Sequence, residues 1–79
     1  MSDKHFKAIL TLILPKLIYI ISDKENIDEI EATNQLYQSE LYSLLEDEGT
    51  KLWHFSPLTL YHMYDEEKRT GQITFPEEG

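Results

Sequence analysis

Residues 8–21 read AILTLILPKLIYII, and this apolar run decides the fold. At helical spacing, this run and the preceding Phe6 form one broad apolar face. Its members are Phe6, Ile9, Leu10, Ile13, Leu14, Leu17, Ile20 and Ile21. As a helix the run is about 21 Å long, short of the roughly 30 Å hydrocarbon core of a bilayer. Charged residues follow it, where a signal peptide would carry a small-residue cleavage pattern. We therefore predict a buried central helix over residues 3–21, with Ser2 as its N-cap, and a signal peptide as the less favoured alternative.

A second apolar stripe runs along the opposite side of this helix. It consists of Ala8, Leu12, Pro15 and Tyr19, spaced i, i+4, i+7 and i+11. A helix that is apolar on two sides is either central in its domain or covered by a second chain. We therefore predict a homodimer whose interface contains Ala8, Leu12 and Tyr19. Pro15 also predicts a kink, because it lacks a backbone N–H and its ring clashes with the preceding turn.

Local signals predict two further short helices in the middle of the chain. Asp28 is suited to cap a helix that ends near residue 38, with Glu31 reaching back in a capping box. Ser39 is suited to cap a third helix, although residues 28–45 could also form one bent helix. The side chains expected to point inward are Ile30, Thr33, Leu36 and Tyr37, followed by Leu41, Tyr42, Leu44 and Leu45.

The segment KLWHFSP, residues 51–57, leads into a fourth helix. Ser56 is a favoured N-cap and Pro57 a favoured first helical residue, and Gly71 marks the other end. Trp53 and Phe55 flank His54, so an extended segment here would insert both apolar rings into the core, with Trp53 largely buried. The segment GQITFP, residues 71–76, is a candidate to pair with it as a second short strand. The prediction is one all-α domain over residues 1–79: a small bundle of three or four short helices, with that minimal two-strand pairing as an option.

The charge of the chain restricts its partners. Its 79 residues include 15 acidic and 7 basic side chains, a net charge of −8, and no cysteine. Such a charge repels nucleic acid phosphates and anionic membranes, so neither is expected as a partner. The lack of cysteine excludes disulfides and thiol catalysis and is typical of a cytoplasmic protein.

An acidic cluster closes the third predicted helix. Glu46, Asp47 and Glu48 stand at a helix C-terminus, where cations are favoured, and Gly49 is the expected left-handed stop. Because this placement opposes the helix dipole, we take the three carboxylates as the candidate contact for a basic partner protein. The alternative is a solvated turn with no binding role.

Catalytic and metal-binding patterns were sought and none stands out. His62 lies one helical turn from Asp65 and Glu66, a spacing that two metal ligands can share, but a surface histidine beside carboxylates explains it as well. Ser56 and His54 are close in sequence, yet capping already accounts for the serine. If the second and third helices formed a helix-turn-helix, residues 39–49, SELYSLLEDEG, would be the DNA-recognition helix. This segment has four carboxylates and no Lys or Arg, which argues against DNA binding. We predict a protein that is not an enzyme and has no metal or cofactor.

The segment EATNQLYQSELYSLLEDEGTKLWHFSPLTLYHMY, residues 31–64, resembles a family of short uncharacterised bacterial proteins catalogued as a domain of unknown function. The residues that carry the resemblance are Ala32, Leu36, Tyr37, Ser39, Tyr42, Leu45 and the KLWHFSP segment. The resemblance implies an antitoxin-like or accessory partner protein, and it supplies no catalytic residues.

Taken with the charge, this predicts an acidic protein-interaction module that binds a basic partner protein, with the antitoxin-like role that the resemblance implies. The first alternative is a DNA-mimicking inhibitor from a mobile element, with carboxylates at phosphate-like spacing. The second alternative is a small metal-dependent enzyme.

Overall fold

The computed structural model describes residues 3–75, which form an all-α bundle, as the sequence predicted. Within that range no strand is present, so 71–75 do not pair with residues 51–55; Pro76 and the predicted cap Ser2 lie outside the described residues. The helices are α1 (Asp3–Glu25), α2 (Glu29–Tyr37), α3 (Glu40–Leu45) and α4 (Pro57–Thr70), and two short 3₁₀ helices, η1 (Glu48–Thr50) and η2 (Leu52–His54), precede α4.

The first helix runs four residues beyond the predicted end and continues through Pro15. It stops at Asn26, which adopts the left-handed conformation with φ 57°. Asparagine tolerates this conformation better than most residues, so it can terminate a helix much as glycine does. The next turn is closed by Ser22, whose carbonyl accepts the Ile27 N–H at 3.1 Å and whose hydroxyl donates to the Ile27 carbonyl at 2.5 Å. The chain thereby reverses and lays α2 against α1.

The core lies between the inner side of α1 and the other helices. Its buried members are Phe6, Ile13, Leu17, Ile21, Ala32, Leu36, Leu41, Leu45, Leu52, Leu60, Met63 and Tyr64. In α1 the buried residues recur at intervals of four or seven, as expected for one face of a helix. The predicted apolar face is therefore confirmed for these positions, while Ile9, Leu10 and Leu14 pack at its margins.

The second helix buries Leu36, as predicted, but not Ile30 or Tyr37. Ala32 and Leu36 are fully buried, whereas Ile30 is 75% exposed and Tyr37 is 50% exposed. A nine-residue helix packed against a small core buries only a narrow strip of its own surface. The small side chain of Ala32 lets the backbones of α2 and α1 approach closely. The prediction that Ile30 and Tyr37 point inward was wrong, and their exposure follows from the position of this strip.

The N-terminus of α3 is capped from both near and far along the chain. The Ser39 hydroxyl accepts the Tyr42 N–H at 3.2 Å, as predicted. In addition, the Glu67 carboxylate in α4 accepts the N–H groups of Glu40 at 2.9 Å and Leu41 at 3.0 Å. Three of the four N–H groups that a helix start leaves without an intrahelical partner are therefore satisfied. This contact ties α3 to α4.

The KLWHF segment is helical, which corrects the prediction of an extended piece. Leu52 is the fully buried residue of η2, while Trp53 and Phe55 are half-buried and pack against the core. The Trp53 indole N–H donates to the Glu48 carbonyl at 3.1 Å, which holds the ring at the edge of the core. Trp53 is therefore a peripheral side chain, because the 3₁₀ turn directs Leu52 inward in its place.

The fourth helix begins and ends as predicted. The Ser56 hydroxyl accepts the Thr59 N–H at 3.2 Å, Pro57 is the first residue, and Gly71 closes the helix at φ 78°. Near its C-terminal end, Lys68 pairs with Glu25 at the end of α1 and donates to the Gln35 side-chain oxygen at 3.2 Å. This end of the bundle is joined by polar contacts, whereas a mostly apolar groove lies between the start of α4 and α1.

Candidate functional site

Within residues 3–75, no other segment covers the outer side of α1. The outer stripe, defined as Ala8, Leu12, Pro15 and Tyr19, is exposed at all four positions. Leu12 is 67% exposed and Tyr19 is 64% exposed, while Leu17 and Ile21 on the inner side of the same helix are fully buried. The structure thus brings together the residues predicted for a dimer interface on one exposed apolar surface.

Beside the outer stripe, a groove separates α1 from the start of α4. Its volume is about 540 Å³, and its walls are Pro15, Lys16, Tyr19, Ile20, Ser56, Pro57 and Leu58. Leu58, at 49% exposed, forms the far wall. Most of these side chains are apolar, and Pro15 has no N–H to offer a ligand. The groove is suited to receive apolar side chains and has no pair of groups placed for acid–base chemistry.

Sequence reasoning did not include Ile20, Pro57 or Leu58 in a binding surface. Ile20 was assigned to the buried face, and Pro57 was explained as a helix start. They belong to the groove because α4 begins against the middle of α1, some 40 residues earlier in the chain. No local pattern in the sequence signals that contact.

The acidic cluster has more local structure than the sequence indicated. The Asp47 carboxylate accepts the Gly49 N–H at 2.9 Å and so caps η1. Gly49 is not left-handed; a Cβ there would come within 3.2 Å of the Asp47 oxygen, and the left-handed residue is Lys51, with φ 60°. The prediction of a left-handed Gly49 was wrong. Asp47 also has a structural reason for its position, which weakens the argument that only a partner explains it.

Glu46 and Glu48 take different positions around that turn. Glu46 is the exposed C-cap of α3, and Glu48 is half-buried with its carbonyl bonded to Trp53. Burial raises the pKa of Tyr42, and the nearby negative charge of Glu46 raises it further. The ring of Tyr42 stacks on Tyr37 with centroids 4.5 Å apart. The corner is therefore a mixed acidic and aromatic surface.

The residues considered for a metal site are engaged in other contacts. Asp65 pairs with Arg69 at 3.0 Å, and Glu66 accepts the Thr74 N–H at 2.9 Å and its hydroxyl at 2.8 Å. These bonds from Thr74 lower the pKa of the Glu66 carboxyl. Over residues 3–75 no three His, Asp or Glu side chains come together in a way that could hold a metal ion.

Charge is distributed unevenly between α1 and the remaining chain. The segment Asp3–Glu25 has four basic and three acidic residues, so its net charge is +1. The other 56 residues have three basic and twelve acidic residues, a net charge of −9. The outer stripe therefore lies on the one helix that does not share the strong negative charge of the protein.

By length and composition alone, α1 is apolar enough to cross a membrane. The stretch Lys4–Glu25 has a mean hydropathy of 1.5, and 22% of its apolar window is buried. The central helix of a folded domain meets the same description, and α1 packs against α2, α4 and η2. Length and composition are therefore weak evidence for a membrane span.

Comparisons of this chain with protein-family models, with curated proteins and with solved structures find no match, so its surface geometry is the basis for a functional proposal.

Proposed function

We propose that this chain is a non-enzymatic protein-interaction module, and that it binds through the outer stripe of α1 and the adjoining groove. The observation that carries the proposal is the exposure of Leu12 and Tyr19, about two thirds each, on a helix whose other side is the centre of the core. Contiguous exposed apolar surface with a polar rim is typical of a site where another protein binds.

The composition of this surface supports binding of a protein. Tyrosine is enriched among residues that dominate binding energy, because it buries a large rigid ring and keeps a polar hydroxyl. Full burial of a leucine side chain contributes about 1.5–3 kcal/mol. Leu12, Tyr19 and Leu58 are therefore the apolar side chains proposed to anchor a partner, and the groove provides the concave part of the contact.

The charge of the remaining surface favours basic proteins as further partners. The chain outside α1 has a net charge of −9, and electrostatic complementarity increases the association rate of oppositely charged proteins. Glu46, Asp47 and Glu48 are the proposed contact for such a partner. Because Asp47 also caps η1, its substitution by Asn, which retains a side-chain oxygen, is preferable to substitution by Ala.

The test compares three variants as baits for native cellular proteins, with captured proteins identified by mass spectrometry. Leu58→Glu places a charge in the groove. The triple variant Glu46→Gln/Asp47→Asn/Glu48→Gln, called the corner variant, neutralises the acidic cluster. Ile30→Glu is the matched control, because Ile30 is an exposed apolar residue on α2, outside the groove.

We expect Leu58→Glu to lose a partner that Ile30→Glu retains, and the corner variant to lose basic partners at low salt. Loss in the corner variant alone would place the contact on the acidic surface and overturn the proposed use of the groove. Equal binding by all three variants would overturn the proposed function, as would a native chain that binds no protein, further copies of itself included.

A further inference from the structure

We infer that the outer stripe of α1 pairs with the same stripe of a second copy of this chain, with the two helices antiparallel. The inference rests on the proposed function, because it uses the same surface and names its occupant. Three features of α1 support it: its local charge, the order of residues along the stripe and the position of the groove.

Local charge makes α1 the side on which two copies can approach. Two proteins with a net charge of −8 repel each other, and the repulsion is largest where acidic surfaces face one another. The net charge of α1 is +1, with Lys4, Lys7, Lys16 and Lys24 distributed along its length. A contact through α1 keeps the acidic remainders of both copies apart.

When a second copy of α1 is placed antiparallel to the first, the residues along the two stripes complement each other. Around the midpoint between residues 13 and 14, Leu12 mirrors Pro15, Ala8 mirrors Tyr19, and Lys4 mirrors Asp23. In an antiparallel pair centred there, Ala8 of one copy is level with Tyr19 of the other, so a small side chain meets a large one. Lys4 is level with Asp23 of the other copy, so opposite charges meet at both ends. A two-fold axis repeats each of these contacts.

The parallel arrangement lacks this complementarity. It would place Tyr19 level with Tyr19, Lys4 with Lys4 and Asp23 with Asp23. The last two pairs are like charges, which disfavour the alignment.

The groove lies where the antiparallel partner needs space. Leu12 of the second copy is level with Pro15, and Pro15 is one wall of the groove. The apolar side chain of that leucine can therefore enter the groove between α1 and Leu58. Two copies fill two grooves symmetrically, which links the outer stripe and the groove in a single interface.

The first experiment measures mass by light scattering and dissociation by sedimentation equilibrium, on the full chain in lipid-free buffer. We expect a dimer at tens of micromolar, and Leu12→Glu to raise its Kd by at least about tenfold. Ile30→Glu, which adds the same charge at an exposed apolar site on α2, should leave the dimer unchanged. Circular dichroism of both variants verifies that they are folded.

The second experiment tests the direction of the helices. Lys4→Glu and Asp23→Lys should each weaken the dimer, and the double variant should restore it. Because the native chain has no cysteine, introduced thiols report unambiguously. A mixture of Ala8→Cys and Tyr19→Cys chains should form the mixed 8–19 disulfide in preference to 8–8 or 19–19.

Three results would overturn the inference: a monomer at all concentrations, preferred 8–8 and 19–19 cross-links, or a lipid-free monomer that co-sediments with phospholipid vesicles. If the chain is monomeric but Leu58→Glu still loses a cellular partner, the inference fails and the proposed function stands. If a dimer forms and no other protein is bound, the inference stands with self-association as the function of the surface.

Discussion

Substitution of Glu67 tests how the shortest helix is held in the bundle. Its carboxylate accepts the N–H groups of Glu40 and Leu41, which lie 27 and 26 residues earlier in the chain. Glu67→Ala removes both acceptors and leaves these two N–H groups at the start of α3 without their protein partner. The helix they begin contributes Leu41 and Leu45, both fully buried, to the core.

The magnitude follows from the two hydrogen bonds. A bond to a charged group contributes about 1.5–3 kcal/mol when buried, and loss of a helix cap costs about 0.5–2 kcal/mol. The Glu40 bond is exposed and the Leu41 bond is partly buried, so water replaces part of the loss. We expect Glu67→Ala to lower the free energy of unfolding by about 2 kcal/mol. For a domain of this size that corresponds to a Tm lower by about 8–16 °C.

The assay is thermal unfolding followed by circular dichroism, with urea unfolding as a second measure. Glu66→Ala is the matched control, because Glu66 is the adjacent residue of the same type and binds only the terminal segment through Thr74. Its Tm should remain close to that of the native protein, and Glu67→Gln, which keeps one oxygen, should recover part of the loss. Equal Tm changes in Glu66→Ala and Glu67→Ala would refute the role of Glu67 as a cap.

Three further predictions concern single side chains. Burial, followed by the charges of Glu25 and Glu67, raises the pKa of Tyr64 to about 12; stability from the neutral phenol is complete below pH 10 and is lost as pH rises toward 12. Tyr64→Phe should reduce the loss of stability in urea titrations at alkaline pH, and the raised pKa values of Tyr42 and Tyr61 account for a smaller remaining dependence. Trp53→Ala should cost about 2–3 kcal/mol in urea unfolding, below the 3–5 kcal/mol typical of a fully buried ring, and a normal midpoint would contradict this. Lys51→Gly should maintain stability or raise it by up to about 1 kcal/mol, because glycine adopts the left-handed conformation without strain; a lower Tm would show that the lysine side chain has another role.

Local rules accounted for the starts of α2, α3 and α4 and for the end of α4. Asp28, Ser39 and Ser56 each cap the helix that follows, as their sequence positions predicted, and Gly71 ends α4. These residues act on N–H or C=O groups within four positions in the chain, so their effect can be read without knowledge of the fold. The inner face of α1 was equally predictable, because it is a broad face of large apolar residues, whereas the stripe on the opposite side is narrow.

Contacts between distant segments determined the remaining features. Ile30 and Tyr37 are exposed because α2 meets α1 along Ala32 and Leu36, and a helical repeat alone does not specify which of two strips is chosen. Leu52 replaced Trp53 in the core because the segment forms a 3₁₀ turn, and Glu67 caps a helix in another part of the chain. The groove exists because Pro57 and Leu58 are placed beside Pro15 and Tyr19. The sequence by itself determined the starts of α2, α3 and α4, the end of α4 and the inner face of α1, since capping and helical periodicity are local. The tertiary structure alone decided which apolar residues remain uncovered, since exposure depends on what packs against them.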